Sequence, residues 1–419
     1  MLPKSLIRLL IANAVSGVSQ GIMMVAVPWY FANHLKKSEW FGVIYAGATL
    51  ATLFWSLYAG TLIDKHSRKK IFLWINASGF FFQGFLALAG SIYGDMPWMA
   101  ASAFVYTMFT FNIHFPSLYA FAQEVSAKQD YARVNSWLEI THQSMSVVSG
   151  GIAAILIGGI TRGSLLFEVF GVEIVPRPLH EIIALDALTY LLAWMIVQTI
   201  EYVPEQERLA EKGSVLERFK QGVRFLLENP GVRTFGWASY VIFILLLIEV
   251  HQLLPVYVDR HLQSNGNVYA LSEMIYAVGA LAAGLWMRKT LKFFHPVKTI
   301  MVMMIFTAFL FDGCFVMKSE WYILLFSVLI GVTNAGTRIL RVTWLFEHVP
   351  NRVIGRVNSV FNAFNILSRT LLGLIFSLKF FNSGGNIRYA YLICGVILLI
   401  ASVVLLVNMK KIQATTEKA

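Results

Sequence analysis

The sequence predicts an all-α polytopic membrane protein, with twelve transmembrane helices in two parallel six-helix repeats. Three observations carry that expectation. The chain of 419 residues is 57% hydrophobic and 14% charged, where a soluble domain carries about 25% charged residues, and its mean hydropathy is +0.64. Apolar runs of bilayer length, about 20 residues each, recur from one end to the other. Short motifs of the first half return in the second half in the same order.

Taken in order, the expected spans are 6–33, 39–62, 70–93, 97–122, 133–160, 180–201, 232–259, 268–288, 298–317, 320–346, 354–381 and 388–409. The first is too long for a signal-peptide core and lacks a small-residue cleavage site, so it is expected to stay as a transmembrane helix. Between the sixth and seventh spans lies the longest polar stretch, 201–233. Within it, Val215 to Leu227 places apolar residues at helical spacing amid charges, the pattern of an amphipathic interfacial helix. Pro230 and Gly231 then punctuate the entry to the next span. The expected division is a six-helix bundle over 1–201, a cytoplasmic linker over 202–231 and a second bundle over 232–419.

Charge sets the expected orientation. Of the 34 Lys and Arg, 23 fall on the side that carries both termini and eight on the other, so the termini are expected in the cytoplasm of a cell (inner) membrane protein. The net charge of +11 is spread over short clusters between apolar runs and forms no dense patch with aromatic platforms, which argues against nucleic acid. Cys314 and Cys394 each lie in an apolar run, without metal-ligand or disulfide spacing. The chain has no HExxH, Walker or aspartate-rich motif, so no enzyme, metal or cofactor is expected.

The repeat is legible in three places. Pro28-Trp-Tyr30-Phe-Ala-Asn-His34-Leu35 returns as Pro255-Val-Tyr257-Val-Asp-Arg-His261-Leu262. Ala59-Gly60 returns as Ala283-Gly284, and Arg133-Val-Asn-Ser136 as Arg356-Val-Asn-Ser359. The matches support two parallel halves of six spans joined by the long polar stretch.

Between the second and third spans the chain reads Gly60-Thr-Leu-Ile-Asp64-Lys65-His-Ser67-Arg68-Lys69-Lys70. This resembles the loop between helices 2 and 3 of the major facilitator superfamily, G-x-x-x-D-R/K-x-G-R-R/K. Gly60, Asp64, Lys65, Arg68 and Lys69 match it, while Ser67 stands at the second glycine. Arg133-Val-Asn-Ser136 and Val349-Pro350 with Gly355-Arg356-Val357 look most like the branch containing macrolide-efflux proteins and siderophore exporters. Gly150-Gly151 and Gly158-Gly159 are similar to the glycine-rich antiporter motif without its proline. The resemblance implies a secondary active transporter working by alternating access as a monomer, with Gly60, Asp64, Lys65, Arg68 and Lys69 as a conformational switch. In the switch, Gly60 allows close helix approach and Asp64 sits at a helix N-terminus, where its charge is favourable. Proton-coupled export of a small amphipathic or anionic molecule is the expected activity. Proton-coupled uptake, lipid flipping on the same fold, and a non-transporting sensor are the alternatives.

Charged groups inside a bilayer each need a reason. Glu139, His142 or Gln143, Ser146 and Gly150 fall on one face of the fifth span. A buried carboxyl beside an imidazole suits a proton carrier, so Glu139 and His142 are the first coupling candidates. Glu249 and His251 in the seventh span are the second. Asn334, Arg338 and Arg341, and Asn358, Asn362, Asn365 and Arg369, form polar stripes expected to face the bundle interior. Arg338 and Arg369 are expected to meet substrate and Arg341 to clamp helices. Asn13, Gln20, Asn112, His114, Gln143, Asn334, Asn362 and Asn365 complete the expected cavity. Asp186 and Asp312, read as lying near the outer ends of their spans, are expected to be solvated.

Overall fold

The structure, a computed structural model, describes residues 3–126, 130–160, 171–202, 215–290 and 295–416. The first six long helices are α1 Lys4–Trp29, α2 Ser38–Lys65, α3 Arg68–Tyr93, α4 Pro97–Glu124, α5 Tyr131–Gly158 and α6 Leu179–Gln198. A shorter helix, α7 Val215–Glu228, follows. The second set is α8 Pro230–Ile248, α9 Gly266–Thr290, α10 Pro296–Val316, α11 Glu320–His348, α12 Asn351–Phe376 and α13 Ile387–Val407, with a terminal α14 Met409–Thr416. Ten of the long helices are apolar enough, by length and composition, to cross a membrane. Helices α2 and α4, each of 28 residues, complete the twelve among the described residues. The one β feature among them is a bridge between Ile160 and Ile174.

The helices arise where the expected spans lie, and the differences are local. The loop expected from Gly60 to Lys70 is almost wholly helical: α2 runs to Lys65 and α3 starts at Arg68. The eleventh span ends at Phe376 rather than 381, because residues 377–386 form turns before α13. Pro28 and Pro116 sit inside helices that continue past them. Both copies of the Pro-x-Tyr repeat end in π-helical turns, at Tyr30–His34 and at Tyr257–Leu262, and a further π-turn covers Glu249–Leu253. A proline has no N–H for the ladder, and a wider turn is one way for the helix to absorb the lost bond.

The chain forms two compact units, one of residues 1–44, 51–210 and 265–274, the other of 45–50, 211–264 and 275–419. In the first, α1 packs against α4, α5 and α6, and α3 against α4 and α6. In the second, α8 packs against α11, α12 and α13, and α10 against α11 and α13. The same helix order within each set of six gives the same packing scheme, as parallel repeats require. Leu6, Leu9, Ala12, Phe72, Leu118, Phe121, Val134, Leu138 and Val197 build one core cluster of the first unit. Phe81, Phe85, Leu88 and Leu285 are more than 60% exposed, apolar surface of the kind lipid covers. Asp95 holds the start of α6, accepting from the Leu179 N–H at 2.7 Å and the His180 N–H at 3.0 Å.

Candidate functional site

In the first unit, Asn13 on α1 is 1% and His114 on α4 is 2% exposed, and the His114 Nε2 lies 2.7 Å from the Asn13 Oδ1. The Asn13 amide faces the Met145 sulfur on α5 at 3.5 Å. Gly17 on α1 lets that contact form, because a Cβ there would lie 2.8 Å from the same sulfur. His114 and His142 both pack on Phe115, with ring centroids 5.6 and 4.9 Å away. Glu139 is exposed and accepts from Gln143 Nε2 at 3.0 Å along its own helix. Asn112 donates to the Met108 carbonyl one turn back, at 2.8 Å. Gln20 is buried.

The switch residues divide. The side chains of Gly60, Asp64 and Lys65 lie outside the described residues. Arg68 is 7% exposed, donates to the Ile63 carbonyl and pairs with Glu124 at 3.6 Å, while Tyr202 hydrogen-bonds the same carboxylate. Lys69 Nζ caps the end of α6, donating to the carbonyls of Gln198 at 2.9 Å and Ile200 at 2.7 Å. Arg8 adds a bond to the Thr199 carbonyl. Cations there meet the negative end of the helix dipole.

In the second unit, Glu249 is 2% exposed, and its Oε1 accepts from the Tyr391 hydroxyl on α13 at 3.2 Å. Two residues on, His251 stacks on Tyr45 with centroids 5.5 Å apart and planes at 16°. The Tyr45 hydroxyl donates to the Leu247 carbonyl at 3.0 Å and receives the Arg369 guanidinium at 3.5 Å. Gln252 ties this stretch to α12 through the Gly373 carbonyl at 2.9 Å. The geometry thus joins His251, Tyr45 and Arg369 in one cluster and puts Glu249 beside it on the same π-turn.

The polar stripes of α11 and α12 are only partly interior. Asn334 is buried and donates to the Tyr276 hydroxyl at 2.9 Å. Asn365 is buried, Arg338, Asn358 and Arg369 are half-buried, and Asn362 is exposed. Arg341 is buried, donates to the Ser239 carbonyl at 2.9 Å and lies 3.8 Å above the Tyr240 ring, the geometry of a helix clamp. Tyr45, Tyr276 and Tyr391 escaped the sequence reading, since an aromatic in an apolar run has no periodic signal of its own. Asp186 corrects it: the side chain is fully buried, because α6 presents that face to α1 and α3. A carboxyl inside an apolar run, more than a turn from the nearest other charge at Glu181, was the available signal.

A family model described as Major Facilitator Superfamily matches residues 9–364 and 252–418. The enterobactin exporter EntS of Escherichia coli O6:K15:H31 (strain 536 / UPEC) is 26% identical over 417 residues, spanning 97% of this chain and 92% of that one. The EntS of Shigella boydii serotype 4 (strain Sb227) is 25% identical over the same spans. The fold resembles a crystal structure of the nucleoside transporter NupG, at TM-score 0.71 and 12% identity, covering 97% of this chain and 99% of that one. It also resembles a bacterial homologue of the lysosomal transporter Spinster, at TM-score 0.72 and 12% identity, covering 98% and 97%.

Proposed function

The chain belongs to the major facilitator superfamily, and on that premise we propose that it is a secondary active exporter of a small amphipathic or anionic molecule of the siderophore class. The observation that carries this reading is the likeness to enterobactin exporters along 97% of the chain. The proposed driving force is a proton gradient across the cytoplasmic membrane, with both termini inside and the monomer as the working unit.

Glu249 is the proton carrier we favour. It is buried and bonded to a single phenol among the interactions described, so gaining or losing one charge there changes the local energy by several kcal/mol. Glu139 and His142 stand as the second pair, with Glu139 exposed and tied to Gln143. Arg338, Arg369 and Asn365 supply donors for an anionic or carbonyl-rich substrate. The Arg369 guanidinium also touches Tyr45 beside His251, so protonation along Glu249–His251 and substrate binding at Arg369 act on one charge balance.

The test is transport of labelled enterobactin in proteoliposomes under an imposed pH gradient. Gradient-dependent movement that a protonophore collapses is expected. Glu249→Gln is expected to lose it while keeping substrate exchange at equal pH. Movement of labelled phospholipid with none of enterobactin or any other siderophore would replace export with lipid flipping.

A further inference from the structure

Asp186 has no role in that proposal, yet it is the most completely buried carboxyl among the described residues of the first unit. Its exposure is 0%, and neither of its oxygens has a hydrogen-bond partner among the described residues. Ser19 of α1 and Gln83 of α3 face it with a hydroxyl and an amide, and the Ser19 hydroxyl and Gln83 carbonyl oxygens have no partner of full hydrogen-bond geometry among the described residues. Tyr190, one turn along α6, has a buried, unpartnered hydroxyl too. The helices are locked in this arrangement. Gly79, one turn before Gln83 on α3, receives the Tyr190 ring, since a Cβ there would lie 2.7 Å from it. Gln83 is oriented by Thr107 of α4, at 3.3 Å.

We propose that Asp186 anchors a site for one small monovalent cation, a proton or a sodium ion, inside the first unit. The reasoning is charge balance. A carboxylate removed from water and faced only by neutral hydroxyl and amide dipoles, with no counter-charge, costs several kcal/mol to keep. The groups facing it from α1, α3, α4 and α6 are Ser19, Gln83, Tyr106 and Tyr190, and none is cationic. One negative charge among neutral hydroxyl and amide oxygens is a hard donor set. It matches one unit of positive charge. The Glu249 site of the second unit differs, because a phenol already occupies its oxygen and the side chains of Cys314 and Cys394 lie nearby.

The experiment uses the purified full chain in lipid nanodiscs, comparing the parent with Asp186→Asn. Infrared difference spectra read the C=O stretch of a protonated carboxyl, and thermal unfolding is followed in sodium chloride against choline chloride. A carboxyl band that Asp186→Asn abolishes and sodium leaves unchanged identifies the proton. A midpoint several degrees higher in sodium than in choline for the parent, with no difference in Asp186→Asn, identifies sodium. The absence of both effects overturns the proposal and leaves Asp186 as an ionised group held by protein dipoles. If Asp186→Asn does not accumulate, Ser19→Ala and Gln83→Leu replace it. Each is then expected to move the band or cut the sodium effect severalfold, and no change in either overturns the site. These readouts concern ion binding alone, so they stand or fall separately from export.

Discussion

At the scale of single residues, two buried charges are expected to behave differently. Arg341 is a structural clamp, with its bond to the Ser239 carbonyl and its contact with Tyr240. Arg341→Ala leaves that carbonyl without its donor and removes the cation from the ring, a loss of about 2–3 kcal/mol. The measurement is thermal unfolding of the purified protein, where a lowered midpoint with retained substrate affinity is expected. Glu249 is the opposite case. Glu249→Gln keeps the shape and an acceptor for the Tyr391 hydroxyl, so little stability should be lost while gradient-driven flux disappears. A variant that unfolds early and still transports would reverse the two assignments.

At the scale of elements, the ends of helices carry the informative contacts. Lys69 holds the last carbonyls of α6, so Lys69→Ala is expected to cost about 1 kcal/mol. Faster amide hydrogen exchange at residues 198–202 would register it, and unchanged exchange would remove Lys69 from the cap. The amphipathic α7 packs against α12, and Gly222 makes the approach possible. A Cβ at Gly222 would lie 2.8 Å from the Arg356 carbonyl carbon, a backbone atom that has no room to give. Gly222→Leu should therefore lift α7 away from α12, read as faster hydrogen exchange along 215–228 in the full chain.

At the scale of the whole molecule, the prediction is topological. Reporter fusions after residues 65, 128, 210, 290 and 415 are expected to report cytoplasm, and fusions after 95 and 318 the exterior, following the Lys/Arg asymmetry. An exterior signal after residue 210 would break the scheme of two repeats joined by a cytoplasmic linker. The helix packing already carries the repeat: α1 with α4, α5 and α6 is matched by α8 with α11, α12 and α13.

How far the sequence reaches follows from what each signal depends on. Bilayer length and composition fixed the spans, because every backbone group inside a membrane must find its partner within a helix. Local periodicity was enough for α7, read as Val215 to Leu227 and found as Val215–Glu228. The repeat was legible as Pro28 and Pro255 in matched octapeptides, though nothing in them announced the π-turns that follow. The interior chemistry was decided only by the tertiary structure. Glu139 read as an acid inside the membrane and Asp186 as a solvated one near the outer end of its span, yet the first is exposed and bonded along its own helix while the second is sealed among α1, α3, α4 and α6. Helical spacing states which residues share a face, but which neighbour covers that face depends on contacts between residues about a hundred or more positions apart, such as Ser19 with Asp186 or Tyr391 with Glu249. Those contacts are set by how the helices pack, and no local pattern encodes them.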